Sequence, residues 1–233
     1  MIFLITLVCV IPLAFILKEP LKKVPWLFYL LGAILVALFI WRGALPFPVY
    51  IERIVYYLVQ KCTLAQALFV VVMFIGVFSE KSRIRTYLMP VRAELSILAC
   101  IIALGHIINF FLTLLPQVAG AGLSLRIPVL VSFFLAILLV ALLVVLGVTS
   151  LYSIKRRMNL VNWKKVQWFA YPFFLLIYVH ILLFLLPSAL LGSSNAVFSV
   201  IVYTVIYLAY LTLRITAAVR KGRLRQAEGK NPD

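Results

Sequence analysis

The chain is short of almost everything a water-facing surface needs. Only 12% of its residues are charged and 66% are hydrophobic, against roughly a quarter and about half in soluble domains. A membrane protein is therefore expected in place of a soluble globular one, with no sizeable soluble domain expected among these residues. Acid is scarcest, with 6 Asp and Glu against 22 Lys and Arg. The near absence of carboxylates within apolar stretches speaks against an ion-coupled pump. The three cysteines (Cys9, Cys62, Cys100) form no C-x-x-C and no metal-type spacing, so they read as inert packing residues. No G-x-G-x-x-G occurs, so a flavin or nicotinamide domain is not expected. The opening Met1-Ile2-Phe3 has no basic n-region, and the first apolar run reads as a retained helix rather than a cleaved signal.

Long apolar runs are what the chain has instead. A bilayer-crossing helix takes roughly 20 mainly apolar residues, and seven spans are expected, over about 1–17, 26–41, 63–78, 95–115, 128–153, 166–186 and 195–213. The third has an alternative start within "YIERIVYYLVQKC". The expected fold is therefore all-α, a polytopic membrane helical bundle of about seven transmembrane helices. Prolines punctuate many ends: Pro20, Pro25, Pro46, Pro48, Pro90, Pro116, Pro128 and Pro187. Trp26, Trp41, Trp163 and Trp168 read as interface belts. Thr149 and Ser150 are expected to satisfy backbone groups at a helix end.

The net charge of +16 would suggest nucleic acid in a soluble protein. Here the cations crowd the loops and tail, where they meet lipid headgroups, so no nucleic-acid partner is expected. Loops 18–25, 79–94 and 154–165 and the tail after 213 hold 18 of the 22 Lys and Arg; Arg42, Arg53, Lys61 and Arg126 make the other 4. By the positive-inside rule the richer side is cytoplasmic, with the N-terminus outside and the C-terminus inside.

Histidine is rare, and both residues are buried in grease: His106 in "SILACIIALGHIINFFLTLLP" and His180 in "WFAYPFFLLIYVHILLFLLP". His106 lies 14 residues after Arg92, and His180 lies 15 after Lys165. At 1.5 Å per residue each is ~21–23 Å from its last cytoplasmic charge. The two therefore share a depth in the outer half of the bilayer. One reading is interhelical glue, worth roughly 0.6–2 kcal/mol per hydrogen bond. The other is a haem iron held between two helices, which needs neutral imidazoles at equal depth. A bare metal ion is disfavoured, since no carboxylate or cysteine lies near either histidine. Gly105 would leave room for a macrocycle beside His106, and Pro172 would kink the helix ahead of His180.

The stretch "GVTSLYSIKRRMNLVNWKKVQWFAYPFFLLIYVH" resembles the ferric reductase-like transmembrane domain family. The likeness is to the bacterial branch that includes the haem subunit of the periplasmic methionine-sulfoxide reductase system. It rests on Thr149-Ser150, the basic "IKRRM" turn, Trp163-Lys164-Lys165, Tyr171 and His180, with Arg92 leading "ELSILACIIALGH" upstream. It covers about residues 26–213, implying a six-helix core with both ends cytoplasmic. Residues 1–25 become an extra N-terminal helix and loop, and residues 214–233 a basic cytoplasmic tail.

The resemblance implies a haem-carrying core that passes electrons across the membrane, with His106 and His180 as axial ligands of an outer b-type haem. Two-haem members carry a second histidine 13 or 14 residues nearer the cytoplasm on each ligand helix. Here those positions hold Arg92 and Gln167, so one haem b is expected. A flavin (FMN or FAD) or a quinone would then occupy the inner leaflet, as flavin does in the single-haem metalloreductase type, beside Arg92, Gln167 and Lys164 of the basic loop; the alternative for each residue is that Gln167 bonds only locally and the basic loop only sets topology. Arg126 would meet a haem propionate on the outer side or serve as a plain interfacial anchor. The donor would be a separate cytoplasmic reductase or quinol, and the acceptor an extracytoplasmic redox protein or ferric iron. The setting implied is the bacterial cytoplasmic (inner) membrane. The competing reading is a cofactor-free transporter or scaffold subunit whose histidines are structural.

Overall fold

Each apolar run folds as helix because lipid offers no water to unpaired backbone groups, and a helix satisfies them within one segment. The computed structural model describes residues 2–44, 47–121 and 127–227, and among these every regular element is helical. In chain order they are α1 (Ile2–Ile16), α2 (Lys18–Lys23), α3 (Pro25–Ile40), α4 (Val49–Val55), α5 (Thr63–Ile75) and α6 (Arg83–Leu88). There follow α7 (Arg92–Ala121), α8 (Ile127–Ser150), α9 (Tyr152–Arg157), α10 (Leu160–Trp168), α11 (Ala170–Leu190) and α12 (Ser194–Ala227). A π-helical turn, Tyr56–Gln60, continues α4, and a 3₁₀ turn, Met89–Val91, leads into α7.

Four stretches are long and apolar enough to cross a bilayer: Arg83–Gly120, Val129–Ser150, Leu160–Leu190 and Ser194–Arg223. A fifth arises if Val49–Gln60 and Thr63–Ile75, bent by 44°, count as one span. Helices α1 and α3 are apolar but only 15 and 16 residues long, about 22–24 Å at 1.5 Å per residue against a ~30 Å hydrocarbon core. The molecule is an all-helical bundle with four to five helices of membrane-spanning length.

Several local expectations shift. Pro116 and Pro187 do not end their helices, which run on to Ala121 and Leu190. A proline removes one backbone bond, and neighbouring groups in a packed membrane helix re-satisfy it. Pro172 sits in the first turn of α11, where its missing N–H costs nothing; the chain breaks just ahead, at Phe169. The basic stretches 79–94 and 154–165 are largely short helices rather than open loops. No break marks residue 213, because α12 continues as helix through Ala227. Its 34 residues span about 51 Å, well beyond the bilayer core.

The centre of the bundle is α5, in which nearly every side chain from Thr63 to Ile75 is buried. Phe3, Leu7, Val10 and Ala14, spaced at helical repeats, turn one stripe of α1 onto it. Helix α7 packs on α3, α5 and α8, while α11 packs on α8 and α12. One buried polar contact ties the middle: the Gln66 amide donates to the Tyr207 hydroxyl at 2.7 Å. Tyr207 is itself stacked between Phe174 and Tyr178 at 4.4 and 4.7 Å. Gln66→Leu is expected to cost about 1–2 kcal/mol, since Tyr207 stays buried without its donor. Unfolding in mixed micelles measures this, and a variant as stable as the parent would contradict it.

Candidate functional site between helices seven and eleven

The break between α4 and α5 creates the first element of the site. The π turn ends at Gln60, and Cys62 adopts a left-handed conformation, with φ 56°. A helix that stops there leaves its last carbonyls without intrahelical donors. His106 answers one of them: its Nδ1–H donates to the Gln60 carbonyl at 2.6 Å. A carbonyl only accepts, so the proton sits on Nδ1 and the Nε2 lone pair is free. Metal-binding histidines are commonly oriented by this kind of bond.

His180 approaches from α11. Its Nδ1 is buried and has no hydrogen-bond partner among the described residues. Each histidine packs on the phenylalanine one turn ahead, His106 on Phe110 at 4.6 Å and His180 on Phe184 at 5.2 Å. The two phenylalanines meet at 6.0 Å. The four rings thus form one cluster joining α7 to α11, and the equal depth inferred for the histidines corresponds to neighbouring positions in space.

At the other end of the same two helices lies a cavity of about 220 Å³. Its polar lining is Arg92, Ser96, Ser150, Lys155, Trp163 and Gln167, over apolar walls that include Phe69, Leu143, Phe173 and Phe174. Residues 92–100 of α7 therefore face 167–174 as residues 106–110 face 180–184, so α7 and α11 run parallel. Ser96 precedes His106 by ten residues, placing the cavity about 15 Å from the histidine cluster along the helix. Arg92 lies half-buried, with its Nε donating to the Val72 carbonyl at 3.0 Å. Gln167 donates to Thr149 Oγ1 at 3.0 Å, and Trp163 Nε1 donates to the Thr149 carbonyl at 2.9 Å.

Of the residues singled out from sequence, Arg92 and Gln167 share the cavity, but Lys164 does not line it. Lys155 does, its ammonium resting 4.6 Å from the Trp163 ring. Trp163 is consequently a wall of the cavity rather than a belt residue, whereas Trp26, Trp41 and Trp168 are more than half exposed. Arg126 lies outside the described residues. Thr149 and Ser150 do cap backbone, donating to Val145 and Leu146 carbonyls at 2.7 Å each. Thr149 also receives the Trp163 and Gln167 bonds, a role its type alone does not announce.

Gly105 departs from expectation. A Cβ there would stand 2.4 Å from Val59 Cγ1 and 3.3 Å from both Val36 methyls. Its bare face is filled by α3 and the π turn, so it makes room for helices and not for a macrocycle.

The donor set fits haem better than a bare ion. Among the described residues no group of three or more His, Cys, Asp or Glu converges. A porphyrin supplies four nitrogens itself and asks the protein only for axial ligands. His106, its tautomer fixed by a backbone carbonyl with Nε2 free, is oriented as such a ligand is; His180 offers a second imidazole on the facing helix, its buried Nδ1 without a partner among the described residues.

No family model matches the chain. It is similar to a protein of Treponema pallidum (strain Nichols) described only as uncharacterized. The two are 34% identical over 221 residues, which is 94% of this chain and 61% of the relative. The chain spans about three-fifths of that relative's length.

Proposed function

We propose that the chain is the b-type haem subunit of a membrane electron relay, with one haem held between His106 and His180. The observation that carries this reading is the locked tautomer. The Gln60 carbonyl holds His106 with its Nε2 lone pair free, beside a second buried imidazole on a parallel helix. Bound there, haem would supply reversible one-electron chemistry. The residues of the chain do the rest. His106 and His180 would close both faces of the iron, leaving no open position for substrate. Phe110 and Phe184 would pack the pair from one side.

A second haem is not part of the proposal. Arg92 and Gln167, at the positions where two-haem relatives have histidine, are engaged with Val72 and Thr149. The cavity they share is where a flavin or quinone would meet electrons from a cytoplasmic reductase or from quinol. Delivery would be to an extracytoplasmic redox protein or to ferric iron. In this reading α1 and α3 also cross, thinning the bilayer locally or tilting their neighbours, which gives seven spans. The distribution of basic residues then sets the N-terminus outside and the C-terminus in the cytoplasm of a bacterial inner-membrane protein.

The competing reading, a haem-free transporter or scaffold, accounts for His106 as a link between α7 and the π turn. It does not supply His180 with the interhelical hydrogen bond that a structural role implies, since its Nδ1 has no partner among the described residues. The visible spectrum of protein purified from haem-replete cells decides between them. A reducible Soret and α-band unaffected by carbon monoxide is expected, because His106 and His180 would both hold the iron. A colourless preparation rules the proposal out.

A further inference from the structure

Helix α12 outruns the bundle. Its 34 residues span about 51 Å, against ~40–45 Å for a bilayer with its headgroups. Arg214, whose guanidinium lies over the Tyr171 ring at 4.2 Å, marks where it leaves its neighbours. From Ala218 to Arg223 every residue is exposed, and an added Cβ at Gly222 would meet nothing within 4 Å. Counted from Leu213, the last residue before the cations begin, Lys221 and Arg223 stand about 12–15 Å further along. That is past a headgroup layer of ~5–8 Å.

Alone, such a segment is poorly stabilised. It carries Arg214, Arg220, Lys221, Arg223 and Arg225, and α12 contains no Asp or Glu. Arg220 sits one turn from Arg223 and Lys221 one turn from Arg225, like charges at spacings that weaken a helix. The helix dipole favours a cation in the last turn, which accounts for Arg225 and not for the others. Glycine at 222 weakens the helix further. Neither ion pair among the described residues, Lys18 with Glu19 and Arg85 with Glu80, reaches α12.

The exposed surface of this segment is patterned. Ile215 and Val219, 61% and 49% exposed, lie one turn apart and form an apolar stripe. With Thr216, Arg220 and Arg223 they line a shallow recess whose lining residues all belong to α12. An apolar stripe edged by cations suits the apolar face of a second helix, and the charge selects among occupants. A second copy of the chain would bring the same cations together. Anionic headgroups suit a basic helix lying flat on them, whereas α12 is one unbroken helix that carries Lys221 and Arg223 beyond them. We propose that this extension of α12 docks an acidic amphipathic helix of a partner protein. Ile215 and Val219 are its apolar contact, and Arg220 and Arg223 pair with its carboxylates. The partner supplies the negative charge that α12 lacks. The inference is independent of haem at the histidines.

The test uses the full chain in nanodiscs of neutral phosphatidylcholine. The probe is a fluorescein-labelled synthetic helix with a leucine and isoleucine stripe flanked by glutamates. One control peptide has the same composition with the stripe scrambled, and a second has lysine in place of each glutamate. Anisotropy is expected to show saturable binding of the probe alone. Joint Arg220→Glu and Arg223→Glu should weaken it ~tenfold or more and transfer binding to the lysine peptide, which shows that the variant is folded. Val219→Ser should weaken it as well, and Arg83→Gln, an exposed cation of α6, should leave it unchanged. Equal binding of the scrambled peptide, no saturable binding of the probe, or wild-type binding by the doubly reversed chain overturns the proposal. A bimane dye on Val219→Cys, with Cys9→Ser, reports what covers the stripe. Its emission is expected to shift to the blue on adding the probe. The same shift on adding phosphatidylglycerol alone, or in discs loaded with two copies and no probe, names headgroups or a second copy as the occupant and overturns the proposal.

Discussion

Replacing His106 or His180 with alanine is expected to abolish haem retention, leaving less than about a tenth of the parental haem per protein. The two imidazoles are the only ones in the chain, and the iron would depend on both. The loss is expected to be larger at His106, where alanine also leaves the Gln60 carbonyl without its donor. An unpaired buried carbonyl costs ~1–3 kcal/mol by itself, so His106→Ala confounds ligand loss with local instability. His106→Met separates the two. Methionine cannot donate to Gln60, but its thioether is an axial ligand, and a His/Met pair raises the haem potential. Retained haem at a higher potential in His106→Met, with loss in His106→Ala, is the expected pattern. Full haem in either alanine variant refutes the ligand assignment.

Gly105→Ala is the second large effect, and it links the fold to the site. The added methyl would stand 2.4 Å from Val59 Cγ1, closer than two carbons can sit. Val59 is fully buried and β-branched, so it has few rotamers to retreat into. Relief must come from moving the π turn away from α7, at a cost of roughly 1–3 kcal/mol. Gln60 is the next residue along that turn, so its carbonyl would move with it and loosen the hold on His106. Gly105→Ala should therefore lose both stability and a fraction of its haem, and Val59→Ala in the same chain should restore much of both. Gly43, which has nothing within 4 Å of its added Cβ, is the control and should tolerate alanine. A Gly105→Ala protein matching the parent in unfolding and in haem would contradict the packing described.

Much of the helical layout is legible in the sequence, because lipid admits few alternatives for long apolar runs. The break at Lys61-Cys62 falls where the third span was expected to start, but its form is not legible. No proline or glycine marks it, and a left-handed cysteine has no signature in the chain. The Gln60 carbonyl is equally silent, since a backbone acceptor looks the same at every position. Gly105 illustrates a different limit. Sequence shows that a side chain is missing but not which neighbour uses the space. Lys155 and Lys164 differ only in the phase of two short helices, and that phase decides which one lines the cavity. That the two histidines lie near each other could be anticipated because depth survives in one dimension: near-equal spacing from a basic mouth on two helices is a sequence fact. The pairing of Arg92 with Gln167 follows from the same counting, whereas the other side chains that line their cavity emerge only when the helices are assembled.

The central claim is one haem held by two histidines, and its most direct test is haem content. The purified full chain would be assayed by pyridine haemochrome against protein determined by amino-acid analysis. The expected ratio is about one haem b per chain, in line with one pair of axial ligands. A ratio near two would mean that ligands other than His106 and His180 hold a second haem; a ratio near zero from haem-replete cells would mean that the two histidines serve only to hold helices together.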